Sequence, residues 1–232
     1  THVERLSGGD PNLVIPTSDG RECVAAGHLT GILPDSIGVD HDISNSSVVV
    51  LDPRTGEVLA MIGSLDYWDE EIHGHFNVAA DGLRQPGSAF KPFTYLTAFA
   101  QGYTPSSMVL DIRTAFPTES SVPYVPENYD LRFHGPVSMR VALARSYNIP
   151  AVQVMNWIGL DNVIRTAHRM GINSIDRGLD FYGLALTLGG GEVTLMDITY
   201  AYGVLAHSGL MAGHVVPESE RRSGFRTLDP VT

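Results

Sequence analysis

The residues best suited to covalent chemistry are a serine and the only lysine of the chain, three positions apart. Ser88 and Lys91 lie in the run Arg84-Gln85-Pro86-Gly87-Ser88-Ala89-Phe90-Lys91. If a helix opens at Ser88, the two side chains share one face, and the amine of Lys91 can reach back toward the hydroxyl. A neutral amine at hydrogen-bond distance can remove the serine proton and so activate a weak nucleophile. The alternative interpretation is structural, with Ser88 as a helix cap and Lys91 as a solvated first-turn residue.

A second pair of polar side chains lies in Ser146-Tyr147-Asn148, on a short connection between two predicted helices. In an extended or turn segment, residues two apart project to the same side, so Ser146 and Asn148 can face one cleft. Taken alone, this spacing is more typical of a turn cap than of a catalytic group.

The elements that must position these residues follow from periodicity and turn residues. Strand-like runs at 47–51 and 57–63 are joined by Asp52-Pro53-Arg54-Thr55-Gly56, which predicts a hairpin. Apolar residues at helical spacing predict a helix over 88–101, ended by Gly102. Residues 103–136 are rich in proline and are interpreted as loops with short extended pieces. Further helices are predicted at 138–145, at 150–158, at 161–170 and after Gly189-Gly190-Gly191, where Thr194 and Asp197 have capping-box-like spacing.

Composition narrows the function classes. The 232 residues carry 26 acidic and 15 basic side chains, a net charge of -11, which argues against nucleic acid and anionic membrane surfaces as partners. A hydrophobic content of 43% is enough for a sizeable core. The single cysteine, Cys23, cannot form an internal disulfide. Residues 1–45 are interpreted as a linker or entry segment, and residues 46–232 as the domain.

The two polar pairs occur in an order shown by one group of serine acyltransferases. Ser88-x-x-Lys91, followed 55 residues after the lysine by Ser146-x-Asn148, resembles the first two motifs of the transpeptidase domain of a class A, bifunctional penicillin-binding protein. The Arg-Gln-Pro-Gly approach to Ser88 and the run Asn128-Tyr129-Asp130 favour this group over class A β-lactamases. Other stretches that match the family pattern are Ser47–Asp66, His75–Lys91, Pro126–Asp130, Arg140–Ala151 and Gly189–Gly209.

The resemblance implies an α+β fold of the β-lactamase and transpeptidase type, with an antiparallel sheet flanked by helices and an all-helical subdomain. It implies acyl transfer between peptidoglycan stem peptides, without a metal or cofactor, and acylation by β-lactams. For Lys91 to be neutral near pH 7, its pKa must fall by roughly three units, which burial and a nearby cation must supply. The implied site residues are Ser88 as nucleophile, Lys91 as general base, Ser146 as proton shuttle, Asn148 as a donor to the substrate or Lys91, and Asn128 and Tyr147 as substrate-binding residues.

One family motif is missing from the sequence. The third motif, Lys-Thr-Gly on a strand, cannot occur in a chain whose only lysine is Lys91, and Arg222-Ser223-Gly224 resembles it only superficially. We therefore expect a chain truncated before that motif, with an incomplete sheet and an exposed edge on the opening hairpin. The expected partners are stem peptides, β-lactams and the remaining part of the same polypeptide, at the extracytoplasmic face of the cell membrane with an anchor outside this chain.

Two other functions stay open at this point. One is a β-lactam-hydrolysing or sensing relative on the same scaffold, and the other is a catalytically incomplete peptidoglycan-binding module. A metal site at His73-Gly74-His75 is not favoured, because two ligands without a third or fourth make a poor site. The acidic run from Asp66 to Glu71 is interpreted as a surface loop.

Overall fold

Two units of unequal size make up the chain, Thr1–Ser44 and Asn45–Thr232. In the first unit, strands β1 (Val14–Pro16) and β2 (Glu22–Val24) pair in antiparallel fashion. All further elements belong to the second unit. The computed structural model describes residues 14–16, 22–24, 45–118, 122–220 and 228–231.

The predicted hairpin is confirmed. Strands β3 (Val48–Leu51) and β4 (Val58–Ile62) pair antiparallel, with an irregularity between Val50 and Leu51. The turn closes because the amide of Gly56 donates to the carbonyl of Asp52 at 2.8 Å, and Gly56 has φ +78°, a value that glycine adopts without strain.

The helix predicted over 88–101 has a different beginning. Residues Gly87–Phe90 form a 3₁₀ turn, and the α-helix α1 covers Lys91–Ala100, with Pro92 in its first turn. The prediction that an α-helix opens at Ser88 is therefore wrong, since proline in the first helical turn favours a helix that starts beside it. The predicted end is confirmed, because Gly102 follows the helix with φ +97°.

Four more helices lie where the sequence predicted helices. Ser138 caps the first of them by accepting a hydrogen bond from the amide of Val141, and Thr194 caps the last through the amide of Asp197. A short helix and two 3₁₀ turns were not predicted, because each is only one turn long. In chain order the helices are α2 (Met139–Ala144), α3 (Asn148–Ile158), α4 (Leu160–Met170), α5 (Leu179–Tyr182) and α6 (Leu195–Ala206), and the 3₁₀ turns are Leu184–Leu188 and Glu218–Glu220.

Two further antiparallel pairs complete the described strands. Strands β5 (Met108–Asp111) and β6 (Gly135–Ser138) enclose the proline-rich loops, and β7 (His214–Val215) pairs with β8 (Leu228–Asp229). The amide of Val58 donates to the carbonyl of Val231 at 2.8 Å, so one end of the β4 edge is paired.

The hydrophobic core is mainly helical. It joins buried faces of α1, α3, α4 and α6, with Phe93, Tyr95, Val154 and Met155 each at 0% exposure. Because α1 runs through this core, the first residue of the helix, Lys91, is also buried. In the part of the chain that the structure describes, no helix has the length and apolarity needed to cross a membrane.

Candidate active site

Ser88 lies in the 3₁₀ turn that precedes α1, and its side chain is exposed. Gly87 reaches this turn with φ +57°, a left-handed conformation, and the amide of Lys91 donates to the carbonyl of Ser88. In a 3₁₀ turn, residues three apart are eclipsed, so the side chains of Ser88 and Lys91 leave the backbone on the same side. Ser88 is not the cap of either helical segment, which removes the structural alternative for this residue.

Lys91 is the most unusual buried side chain of the fold, with 1% exposure. Its ammonium nitrogen lies 2.5 Å from the backbone oxygen of Ser146, 3.0 Å from the Ser146 hydroxyl and 2.7 Å from Oδ1 of Asn148. These acceptors match the three N–H groups of a protonated lysine. Among the described residues, no hydrogen bond joins Lys91 to the Ser88 hydroxyl in this state.

Burial lowers the pKa of Lys91 from the ordinary 10.5 to about 8. The cause is the loss of hydration, which penalises the ammonium form more than the neutral amine. At pH 7 about one lysine in ten is then neutral, and the neutral amine has a lone pair with which to accept a proton. Burial thus supplies most of the shift that a general base at this position requires.

The segment that faces Lys91 is held in an uncommon backbone conformation. Ser146 has φ +55°, which is rare for a residue with a side chain and which turns its backbone oxygen and hydroxyl toward the same amine. Asn148 is the first residue of α3, and its Nδ2 donates to the backbone oxygen of Glu127 at 2.8 Å. Because that nitrogen is directed to Glu127, the amide oxygen of Asn148 must face Lys91. The predicted pair therefore converges on Lys91, but the prediction that Asn148 could donate to Lys91 is wrong, because its Oδ1 accepts from that amine while its Nδ2 is directed to Glu127.

Asn128 lies behind Asn148, and only 3% of its surface is exposed. Its Nδ2 donates to both carboxylate oxygens of Asp111, at 2.8 and 2.9 Å, and its Oδ1 accepts from the backbone amide of Asn148 at 2.8 Å. A side chain so enclosed does not reach the cleft, which favours a positioning role over the predicted contact with substrate. Tyr147 is half-buried, and its ring stacks on the imidazole of His134 at 4.0 Å between centroids.

A glycine-rich segment holds the turn of Ser88 from the other side. A Cβ on Gly189 would lie 2.1 Å from the backbone nitrogen of Gly87, so the two backbones touch. The hydroxyls of Thr94 and Thr187 are 2.8 Å apart inside the core. The hydroxyl of Tyr202 donates to the backbone oxygen of Ala89 at 2.9 Å. These contacts fix the position of the Gly87–Phe90 turn, which carries Ser88, relative to the core.

The positions of Asp111 and His134 beside this site, and the contact of Gly189 with Gly87, were not predicted from the sequence. Asp111 had a detectable signal, because it occupies an inward position in the alternating strand Met108-Val109-Leu110-Asp111, where an apolar residue is expected. A charged residue at such a position needs hydrogen-bond partners. Gly189 had no comparable signal, since its role depends on a contact with a residue about a hundred positions away.

The remaining sequence candidates do not join this site. His75 packs edge-to-face against Tyr67 at 4.5 Å and Trp68 at 5.8 Å, and within the described ranges no three His, Cys, Asp or Glu side chains come together as metal ligands. Arg222-Ser223-Gly224 lies outside the described residues. A cavity of about 360 Å³ borders the Gly87–Phe90 turn at Pro86 and Ala89, but none of the four predicted catalytic side chains lines it.

Comparison with known proteins places this arrangement in a defined group. Residues 46–210 match the family model described as the penicillin binding protein transpeptidase domain. The penicillin-binding protein 1A of Aquifex aeolicus is 33% identical over 213 residues, which cover 90% of this chain and 27% of that protein. The penicillin-binding protein 1A of Rickettsia bellii is 35% identical over 166 residues, 71% of this chain and 20% of that protein. The chain thus spans about a quarter or less of the length of these relatives.

Solved structures agree with the sequence relatives. Penicillin-binding protein 1A from Haemophilus influenzae superimposes with a TM-score of 0.62 at 27% identity, over 82% of this chain and 25% of that one. The PonA1 protein from Mycobacterium tuberculosis, solved in complex with penicillin V, gives a TM-score of 0.63 at 23% identity, over 79% of this chain and 49% of that one. The predicted fold class is therefore confirmed.

Proposed function

Because this chain belongs to the penicillin-binding protein transpeptidase family, we propose that Ser88 is the nucleophile of a D-alanyl-D-alanine transpeptidase that cross-links peptidoglycan stem peptides. The observation that carries the proposal is the buried amine of Lys91, hydrogen-bonded to Ser146 and Asn148 on the same side as the exposed Ser88. A serine hydroxyl becomes a strong nucleophile when a neutral amine accepts its proton, and a lysine of lowered pKa can supply that amine. The family membership supplies the substrate class.

In the first step, neutral Lys91 removes the proton of the Ser88 hydroxyl, and the oxygen attacks the carbonyl of the penultimate D-alanine. The bond from that carbonyl to the terminal D-alanine then breaks. Ser146 gives its hydroxyl proton to the leaving amine and regains a proton from Lys91, to which it lies at 3.0 Å. The products are an ester between Ser88 and the stem peptide and one free D-alanine.

In the second step, an amine of a neighbouring stem attacks the ester carbonyl, an amide bond forms between the two stems, and the bond from that carbonyl to the Ser88 oxygen breaks. The proton of that amine returns to the Ser88 oxygen through the same lysine and serine, so the enzyme leaves the cycle unchanged. Asn148 holds the nitrogen of Lys91 in place throughout both steps through its Oδ1 at 2.7 Å. Positioned proton transfer of this kind contributes about 10²- to 10⁴-fold to the rate.

β-Lactams would follow the first step only. Their amide bond opens on attack by Ser88, but the leaving nitrogen remains attached to the acyl group and stays in the cleft. The acceptor amine is then blocked, and the acyl-enzyme persists. This chemistry belongs outside the cytoplasm, at the extracytoplasmic face of the bacterial membrane, where the stem peptides are cross-linked.

One observation favours a second candidate, a peptidoglycan-binding module without complete catalysis. The chain has no second lysine and therefore no Lys-Thr-Gly motif. In the family that motif supplies a cation and one backbone donor of the oxyanion hole, and a lost donor costs about 10²- to 10³-fold in rate. The two candidates differ in whether Ser88 becomes acylated.

A fluorescent penicillin separates the two candidates. We expect the complete transpeptidase domain to become covalently labelled, with the label on the peptide that contains Ser88, and its Ser88→Ala variant to stay unlabelled. Labelling of Ser88→Ala at the wild-type rate would refute the assignment. Binding of stem peptides without any labelling of the wild type would favour the binding module, and rapid loss of the label would favour a β-lactam hydrolase.

A further inference from the structure

A buried carboxylate lies two hydrogen bonds behind the acceptor of Lys91. Asp111 ends strand β5 and has 0% exposure. Its two oxygens accept from Nδ2 of Asn128, and Oδ2 also accepts from the backbone amide of His134 at 3.0 Å and lies 2.5 Å from Nδ1 of that ring. A charge in the interior is costly unless it is paired, and this one is fully surrounded by donors.

The carboxylate supplies two of the three acceptors that determine which way the amide of Asn128 faces, and the backbone oxygen of Arg132, at 2.8 Å from Nδ2, is the third. A carboxylate only accepts hydrogen bonds, so the NH₂ group of Asn128 must point toward Asp111 and its oxygen must point away. That oxygen accepts from the backbone amides of Asn148, at 2.8 Å, and Ile149, at 3.4 Å. The residue before α3, Tyr147, makes no side-chain cap, so Asn128 caps this helix from a distant part of the chain.

This cap controls the position of Asn148. The backbone of Asn148 is tied to Asn128, and its Nδ2 is tied to the backbone oxygen of Glu127 at 2.8 Å. Two neighbouring residues of one loop therefore hold both the backbone and the side chain of Asn148. Its free oxygen is left with one direction, toward the Lys91 ammonium.

His134 connects Asp111 to Tyr147, the middle residue of Ser146-Tyr147-Asn148. Its Nδ1 meets Asp111, its Nε2 lies 3.1 Å from Asp130, and its ring stacks on Tyr147 with an angle of 15° between planes. The other titratable group near Asp111 is Tyr95 of α1, whose pKa is raised by burial and, to a smaller extent, by the charge of Asp111. Two chains of contacts thus start at Asp111: one runs through His134 to Tyr147, and the other runs through Asn128 to Asn148.

We propose that Asp111 and His134 form a positioning pair for acyl transfer, which acts through Asn128 and Tyr147 to fix the acceptor that holds Lys91. The inference rests on the proposed function of Ser88 and assigns no contact between Asp111 and the substrate. Stability alone does not account for a buried carboxylate at this position, because well-packed apolar residues can give a protein the same stability as a buried ion pair. Here the charge sets the orientation of two successive amides.

The test compares the pH profile of acylation by a fluorescent penicillin in Asp111→Asn and in the wild type. The substitution keeps the shape but replaces one accepting oxygen by a donor, so Nδ2 of Asn128 keeps its bond to Arg132 but loses one of its two acceptors at residue 111, and its orientation is less firmly fixed. The expected result is an acylation rate about 10- to 100-fold lower, the range of one hydrogen bond to a charged group. The midpoint of the profile should also move to lower pH, because the ammonium of Lys91 loses its best-held acceptor and is deprotonated more easily.

Val109→Ala is the matched control, because Val109 lies on the same buried face of β5, two residues before Asp111, and is 1% exposed. It should lower the melting temperature and leave the midpoint unchanged. His134→Phe, which keeps the stack on Tyr147 and removes the bond to Asp111, should show a smaller loss in the same direction and secures the test if Asp111→Asn does not fold.

Three results would overturn the inference. One is a wild-type rate and midpoint in Asp111→Asn, another is the same pair of wild-type values in His134→Phe, and the third is an equal midpoint shift in Val109→Ala. Labelling of Ser88→Ala would instead overturn the proposed function, so the two failures are distinguishable.

Discussion

The lysine side of the site and the β3–β4 hairpin are built in opposite ways. Lys91 is 1% exposed and has all three of its N–H groups paired, whereas Val50 and Leu59 of the hairpin are 45% and 63% exposed. In the first region each polar group depends on a neighbour, and a change in one moves the next. In the second, the side chains have few neighbours to disturb. We therefore expect substitutions around Lys91 to have large effects on function and substitutions in the hairpin to have small ones.

The largest effect is expected at the base itself. Lys91→Arg keeps a positive charge but cannot deliver a neutral amine, since arginine stays protonated at any working pH. We expect acylation by a fluorescent penicillin to fall by about 10²- to 10⁴-fold, the usual contribution of a general base. Acylation at more than a tenth of the wild-type rate would show that another group removes the proton.

The pH profile sharpens the same prediction. With a pKa of about 8 for Lys91, the wild-type acylation rate should rise about fivefold from pH 7 to pH 8 and level off above about pH 9, at about twice the rate at pH 8. The folded pKa lies below the unfolded value of 10.5, so the folded protein releases this proton first, and the contribution of Lys91 to the free energy of unfolding increases between about pH 8 and 10.5. The increase is about 3 kcal/mol at most. In urea unfolding across this pH range, the free energy of unfolding of the wild type should therefore rise with pH relative to that of Lys91→Met.

A smaller effect is expected where the glycine-rich segment touches the nucleophile turn. Gly189 has φ +82° and a Cβ there would meet Gly87, whereas Gly102 has φ +97° and open space around it. Both alanine substitutions strain the backbone by about 1–3 kcal/mol, but only Gly189→Ala must displace the turn that carries Ser88. We expect Gly189→Ala to lower acylation by about 10- to 100-fold, as small misplacements do, and Gly102→Ala to leave it unchanged.

Equal rates in these two variants would contradict the role given to the Gly87 contact. The free energy of unfolding of each variant, measured in parallel, gives the backbone strain that both alanine substitutions introduce, since both glycines have positive φ. The difference between the variants is then the effect of the contact alone.

The comparison also explains which parts of the structure the sequence could predict. Hairpin and helix positions depend on local signals, such as the turn that ends at Gly56 and the cap at Thr194, and these were predicted. The start of the nucleophile helix was not, because Pro92 placed the α-helix three residues later than a pattern of apolar spacing suggested. Local sequence signals predict the type of a segment, but they do not predict which other segments it packs against.

The candidate site shows the same division. The side chains of Lys91, Ser146 and Asn148 were predicted to come together, on a resemblance that rests on spacing along the chain. Substrate binding by Asn128 stays a prediction, and its hydrogen bond to Asp111 could not be predicted, since spacing does not show whether an amide faces a cleft or a buried carboxylate. Asp111 acquires its role only from packing across 23 residues to His134 and 17 to Asn128.

The smallest effect is expected on the hairpin. Leu59→Thr keeps a residue suited to a strand and removes an exposed apolar side chain, so the free energy of unfolding should change by less than about 0.5 kcal/mol. Val154→Ala, at a position with 0% exposure in α3, should cost about 1–3 kcal/mol in the same urea titration, because it leaves a cavity in the core. A loss of more than about 1 kcal/mol of unfolding free energy in Leu59→Thr would mean that the hairpin face is packed against another part of the protein in solution. The hairpin would then also be a buried region, and the two regions would differ only in what packs against them.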